Sequence, residues 1–339
     1  MEKLIDVAVI GCGYWGRNYV RLLSQLPGAN LAGICDQSPS RKEEAAKINH
    51  DAPFFDDLDT MVRECKFDAA IVCTNPSGHF AITKRLLEAG KHILVEKPIT
   101  TSVNDAEELI KVADLNNKVL MVGHTFLFNA GIQEVKNYID SGQVGRVYYM
   151  YARRTNLGPI RDDVNAIWDL APHDISIFNF FMGDRPEWVS AVGSAFHSTR
   201  VDAGFIVLNY PNGKKANIHV SWADPHKVRE LVVIGSDQRV VFNDMVSQEK
   251  VTIYKKGIPA SSLPNFNYVD YQFSLRDGDI VVPTISYGEP LKNQVLHFMD
   301  CAEHGKRPIT DGKSGADVIR VLEAIDMSIK QDGVPVKIG

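Results

Sequence analysis

The sequence predicts an α/β chain in two parts: a parallel sheet wound with helices over residues 1–123, then an α+β domain on a largely antiparallel sheet over residues 124–339. Three observations carry this. Short apolar runs alternate with helical periodicity in the first part, and alternating segments punctuated by turn residues fill the second. The length of 339 residues, at roughly 150 per domain, makes about two separate cores.

The elements follow in order. Val7-Ala8-Val9-Ile10 reads as a buried strand that runs straight into Gly11-Cys12-Gly13-Tyr14-Trp15-Gly16. Tyr19, Leu22, Leu23 and Leu26 then recur at the spacing of one helical face until Pro27-Gly28. Leu31 to Cys35 supplies the second strand and ends in Asp36. The alternation continues with strands at 69–73 and 93–95, a helix from Phe80 to Ala89, a helix from Val103 to Asn116 capped by Ser102 or Thr101, and a last strand at 119–122 before Gly123. In the second part, helices are expected from about Ala130 to Ser141 and from about Trp168 to Met182. Strands at 147–153, 205–210, 216–222, 231–234 and 239–242 are joined by hairpin turns at Pro211-Asn212-Gly213 and Ser236-Asp237. Residues 256–285 carry no readable period, and two helices, Leu291 to Glu303 and Ala316 to Ile329, close the chain.

Composition narrows the function. Thirty-seven Lys and Arg against 42 Asp and Glu give a net charge of −5, without the basic surplus of a nucleic-acid binder. No run of 18 apolar residues is present to span a membrane, and Met1 to Asp6 does not resemble a signal peptide, so a cytoplasmic address is expected. Five cysteines without CxxC spacing read as reduced, packed thiols, and without HExxH or paired Cys and His motifs no metal site is expected.

Gly11-x-Gly13-x-x-Gly16 between a strand and a helix is the fingerprint of a dinucleotide-binding Rossmann domain, in which the helix amino terminus meets the pyrophosphate. Tyr14 and Trp15 fill its variable positions. Asp36, twenty residues after Gly16, is placed to accept from a ribose diol and to repel a 2′-phosphate, which favours NAD. Arg41, at the start of the next helix, keeps NADP open, although a solvated helix charge also explains it.

Glu96-Lys97-Pro98 follows its strand at the carboxyl end of the parallel sheet, where ligands bind in this architecture, and Pro98 restricts Lys97 to extended backbone. Position alone leaves a solvated lysine equally open. Asp169 and His173 stand at i and i+4 on one helix, a carboxylate able to orient an imidazole suited to proton transfer, or else a surface ion pair. Arg153, Arg154 and Arg161, with Asn156 and Trp168 near them, would suit a phosphate, a carboxylate or sugar hydroxyls, or form an ordinary charged loop.

Together the GxGxxG turn, the central Glu96-Lys97-Pro98 and the helical Asp169-x-x-x-His173 resemble the Gfo/Idh/MocA family of NAD(P)-dependent sugar oxidoreductases. Thr74-Asn75-Pro76-x-x-His79 is similar to a family loop, as is Pro290-Leu291 leading into His297-Phe298. The resemblance implies an open-faced sheet that packs a homodimer or homotetramer, and a pocket lined by Lys97, Asp169 and His173. There His173 is the proton acceptor and Lys97 stabilises developing negative charge. It implies that Thr74, Asn75, His79 and Glu96 lie on the cofactor side and that Lys97–Pro98 is a cis bond. The chain departs from many members in reading His124-Thr125-Phe126-Leu127-Phe128-Asn129 where they carry an Arg-rich stretch. With Arg153, Arg154, Asn156 and Trp168, this resembles members acting on nucleotide-linked sugars, and hydride transfer at C3 of such a sugar is the leading expectation. An NAD-dependent glycosidase and a non-catalytic NAD-sensing regulator are the alternatives, the latter disfavoured by Lys97 and His173.

Overall fold

The computed structural model describes residues 5–158, 160, 164–197, 199–256 and 278–339. Two compact units divide the chain, one of residues 1–125 with 289–319 and one of residues 126–288 with 320–339.

The first unit holds the expected Rossmann sheet. Its strands are β1 (Ile5–Ile10), β2 (Ala29–Cys35), β3 (Phe54–Phe55), β4 (Ala69–Val72), β5 (His92–Glu96) and β6 (Leu120–Gly123). They are ordered β3-β2-β1-β4-β5-β6, all in parallel register. Val7–Ile10, Ala69–Val72 and Ile93–Val95 are buried throughout, which is why these strands read as unbroken apolar runs. The strand order reverses between β1 and β4, so a crevice is expected at their carboxyl ends. Helices α1 (Tyr14–Leu23), α2 (Pro39–Ala46), α3 (Leu58–Glu64), α4 (Pro76–Glu88) and α5 (Val103–Leu115) connect the strands. Ser102 caps α5 by accepting from Asp105 N–H. Helix α4 begins four residues before its expected start, since Pro76 occupies the first turn, where its missing N–H costs nothing, and Asn75 becomes the N-cap.

The expected domain boundary is corrected at its carboxyl side. Residues 289–319, comprising α8 (Pro290–His304) and the first turns of α9 (Gly312–Lys330), belong with the Rossmann sheet rather than with the second domain. Thr310 fixes them there: its carbonyl accepts from Val122 N–H at 2.7 Å, and its hydroxyl donates to Val122 O at 2.7 Å. A bridge between Met121 and Asp311 extends the contact along the edge of β6. Gly315 allows the close approach, because a Cβ there would meet Val122 Cγ2 at 2.6 Å.

The second unit is built on nine strands among the described residues: β7 (Val147–Leu157), β8 (Trp188–Ser194), β9 (Ala203–Asn209), β10 (Lys215–Ser221), β11 (Ala223–Gly235), β12 (Arg239–Asn243), β13 (Val251–Tyr254), β14 (Ile280–Val281) and β15 (Val336–Lys337). Their order is β14-β13-β12-β11-β7-β10-β9-β8-β15. The sheet is antiparallel as expected except where β7 meets β10 in parallel. Asn212 and Gly213, at φ 62° and 74°, turn the β9–β10 hairpin. Helices α6 (Ala130–Asp140) and α7 (Ala166–Met182) pack on one side. Along β9 the side chains alternate: Ile206 and Leu208 are buried, while Phe205 and Val207 on the other face are 54% and 40% exposed. No helix of the described residues is long and apolar enough to cross a membrane. The five cysteines carry free thiols.

Candidate active site

In the first unit the glycine turn is built as the motif requires. Gly11 adopts φ +89°, and a Cβ there would meet the Cys73 carbonyl carbon at 2.8 Å. At Gly16 a Cβ would strike Gly11 O at 2.0 Å, whereas Gly13 faces open space. Gly13 caps α1 without any side chain accepting its first N–H groups, so these donors stand ready for an anion. Tyr14 and Trp15 follow, 71% and 43% exposed and packed edge to face. Asp36 lies beside the turn, its Oδ2 accepting from Cys12 N–H at 2.7 Å and its Oδ1 from Ser38 N–H at 2.9 Å. Burial, reinforced by Asp36, pushes the Cys12 thiol up to about 11, so it stays protonated. The Thr74 hydroxyl is buried with no partner, and Thr74 N–H also adjoins Gly11. An uncapped helix start, an open Gly13 and an orphaned hydroxyl fit a dinucleotide, and NAD is the cofactor of this fold and motif.

The loops around this turn are braced from within. His79, 1% exposed, sets Nδ1 2.7 Å from Pro98 O and Nε2 2.9 Å from Thr74 O, tying the start of α4 to the Lys97–Pro98 turn. That peptide bond is cis, as the resemblance implies. Glu96 is buried, accepting from Tyr19 O–H at 2.7 Å and from Lys97 N–H at 3.2 Å, while Gln294 Nε2 donates to Tyr19 Oη at 2.7 Å. Burial pushes the Glu96 carboxyl above its usual range against the pull of Tyr19 and Lys97. The His79 ring and the Glu96 carboxylate, expected on the cofactor side, are therefore engaged with the protein and hold the loops that carry Thr74, Asn75 and Lys97. His124 sits one residue beyond β6, buried, with neither ring nitrogen bonded. Desolvation, then the Lys97 charge, push it down to about 3, so it is neutral.

In the second unit Asn165 caps α7 by accepting from Trp168 N–H, which starts the helix so that Asp169 and His173 share a face, both half-buried. Phe126 packs edge-on against the His173 ring with centroids 4.9 Å apart. The other face of Phe126's surroundings is set by Arg154, whose guanidinium carbon lies 4.5 Å from the Phe126 centroid. Arg154 is buried and donates through Nε and Nη2 to the two oxygens of Asp174, at 2.9 and 2.8 Å. Trp168 donates its indole N–H to Asp326 at 2.8 Å.

Arg153 and Arg154, expected to act together, do not converge. Successive strand residues point to opposite faces, so Arg153 is exposed on one side of β7 while Arg154 is buried on the other and already paired. Asn156 shares the Arg154 face, and Arg161 lies outside the described residues. Arg229 on β11, opposite Arg154, carried no local sequence signal, because only strand register brings it to this site. Tyr19 reads only as a helix-face residue, and nothing local in the sequence marks its bond to Gln294. Among the described residues no group of three or more metal-ligating side chains converges.

A family model described as the oxidoreductase family, NAD-binding Rossmann fold, matches residues 5–124, and the GFO/IDH/MocA C-terminal domain matches residues 132–241. The UDP-N-acetylglucosamine 3-dehydrogenase of Acidithiobacillus ferrooxidans is 30% identical over 326 residues, which span 95% of this chain and 96% of that protein. The scyllo-inositol 2-dehydrogenase (NAD(+)) of Bacillus subtilis is 24% identical over 100% and 97%. A solved structure of the Acidithiobacillus enzyme superposes with a TM-score of 0.81 over 96% of this chain and 98% of that one, at 24% identity.

Proposed function

Since the chain belongs to the Gfo/Idh/MocA family of NAD-binding oxidoreductases, we propose that it oxidises a secondary hydroxyl of a nucleotide-linked sugar, at C3, or reduces the matching ketone. Bound NAD supplies the nicotinamide that exchanges hydride with the carbinol carbon. The backbone N–H groups at the start of α1 hold the pyrophosphate, and Asp36 accepts from the ribose diol. His173 takes the hydroxyl proton. Asp169, one turn before it, orients the ring, and the Lys97 ammonium stabilises the alkoxide character that appears as the C–H bond weakens. Asn156 and Trp168 contribute to the sugar end, whereas Arg153 lies on the opposite, open face of the sheet.

The observation that supports the substrate most is the 30% identity to a UDP-N-acetylglucosamine 3-dehydrogenase along almost the full length. The test is to incubate the protein and NAD with UDP-sugars and with inositols while following absorbance of the reduced nicotinamide. NADH formation with an intact, C3-oxidised nucleotide sugar supports the reading. Turnover of inositols alone replaces it with a polyol dehydrogenase, and cleavage of the sugar without net NADH replaces it with a glycosidase. We also assign the open face of the second sheet, with Val192, Phe205 and Val207 exposed and Phe205 stacked on His219, to a homodimer or homotetramer interface. Light scattering of wild type and Phe205→Asp should find an oligomer and a smaller species respectively.

A further inference from the structure

Arg229 of β11 is paired in register with Arg154 of β7, so two guanidinium groups leave the same face of the sheet as cross-strand neighbours. Like charges in that position are destabilising unless each meets an anion. Arg154 has its anion in Asp174. Two other carboxylates lie near: Asp244, which accepts from Lys250 at 2.8 Å, and Asp169 of α7. Arg229 is half-buried, its Nε is sealed from solvent without a partner, and its side chain forms no hydrogen bond or ion pair with a described residue. Desolvation, then the Arg154 charge, push this guanidinium below its usual range, opposed by Asp244, Asp174 and Asp169. A buried donor left unpaired is costly, and such a group in a native structure points to an occupant that completes it.

We propose that Arg229 is the receptor for an anionic group of the substrate, a carboxylate or a phosphate. A planar guanidinium beside a second cation matches the two-oxygen edge of either group, and a neutral sugar hydroxyl would not offset the loss of hydration. The location suits a substrate. Arg154 touches Phe126, and Phe126 touches His173, so an anion on Arg229 lies on the sheet face over which the proposed proton acceptor stands. The assignment rests on the reading of Asp169 and His173 as the reacting end.

The test is calorimetric titration of wild type and Arg229→Gln with UDP-N-acetylglucosamine, UDP-glucuronate and inorganic pyrophosphate, with NAD titrated alongside. Loss of a charge-assisted pair should weaken binding about tenfold or more, with NAD affinity unchanged. Weakening for all three probes identifies a phosphate as the group, and weakening for UDP-glucuronate alone identifies a carboxylate. Equal binding of every probe by wild type and variant, or no probe binding by wild type, overturns the assignment. Should Arg229→Gln lose NAD binding through misfolding, Arg229→Met, which keeps the apolar stem, is read the same way. Pyrophosphate bound through Arg229 without turnover of any nucleotide sugar would leave the receptor standing and remove the nucleotide-sugar reading. Turnover indifferent to Arg229 would do the reverse.

Discussion

At the carboxyl end of the first sheet, Asp36, His79 and Glu96 each have both polar atoms engaged by the protein. On the second sheet, Arg154 is fully paired with Asp174, while the Nε of Arg229 across from it has no partner among the described residues. The first arrangement fixes backbone: the groups offered to a cofactor are N–H donors at a helix start, and the side chains around them hold those donors in place. The second leaves side-chain charge for a ligand. Substitutions in the two regions should therefore fail in different ways, indirectly through loop position in one and directly through chemistry or binding in the other.

The largest effect is expected at His173. Removing a general base slows the chemical step by about a hundredfold to ten-thousandfold, so folded His173→Ala should lose single-turnover hydride transfer on that scale with NAD affinity intact. Lys97→Ala should behave similarly. A folded His173→Ala enzyme that transfers hydride at nearly the normal rate would move the proton acceptor to Lys97 or Asp169. Next, Arg154→Ala leaves Asp174 as a buried, unpaired carboxylate, and should cost about 3–5 kcal/mol of stability in denaturant unfolding. A loss under 1 kcal/mol would mean that Arg154 serves the ligand rather than the fold.

Asp36→Ala tests the braced region. It removes the proposed ribose acceptor and also frees Cys12 N–H and Ser38 N–H, so NAD affinity should fall about tenfold to a hundredfold and the NADP-to-NAD ratio should rise. Calorimetric titration of both cofactors measures this, and unchanged affinities would detach Asp36 from the ribose. The smallest effect is expected for Tyr19→Phe. The buried Glu96 carboxylate loses one donor, for about 1–3 kcal/mol in thermal unfolding. A wild-type melting curve would show that Tyr19 does not brace the Lys97 loop.

The contrast also decides what could be read from the sequence. The glycine turn, Asp36 and the strand–helix alternation are local: buried parallel strands are continuous apolar runs, and a Gly with φ +89° declares itself by being Gly. That Asp169 and His173 share a face was legible because both lie on one helix. The opposing faces of Arg153 and Arg154, and the pairing of Arg154 with Arg229, depend on strand identity and register, which adjacency in sequence conceals. The two-residue β3 and the seven-residue α3 are too short to show a period, and Pro76 was passed over as a loop residue although it is well suited to a first helical turn. Sequence order also hid that residues 289–319 return to the first sheet.

That return bears on how the chain is made. β6 is an edge of its sheet, and the bonds that cover its edge come from Thr310, 188 residues further on. At ribosomal speeds of about 5–20 residues per second, the edge waits roughly 10–40 s after its own synthesis for its cover. An uncovered parallel edge is a template for unwanted strand pairing. Within this chain the Rossmann unit is thus begun early and completed late, and during that interval Leu120–Gly123 presents an open parallel edge.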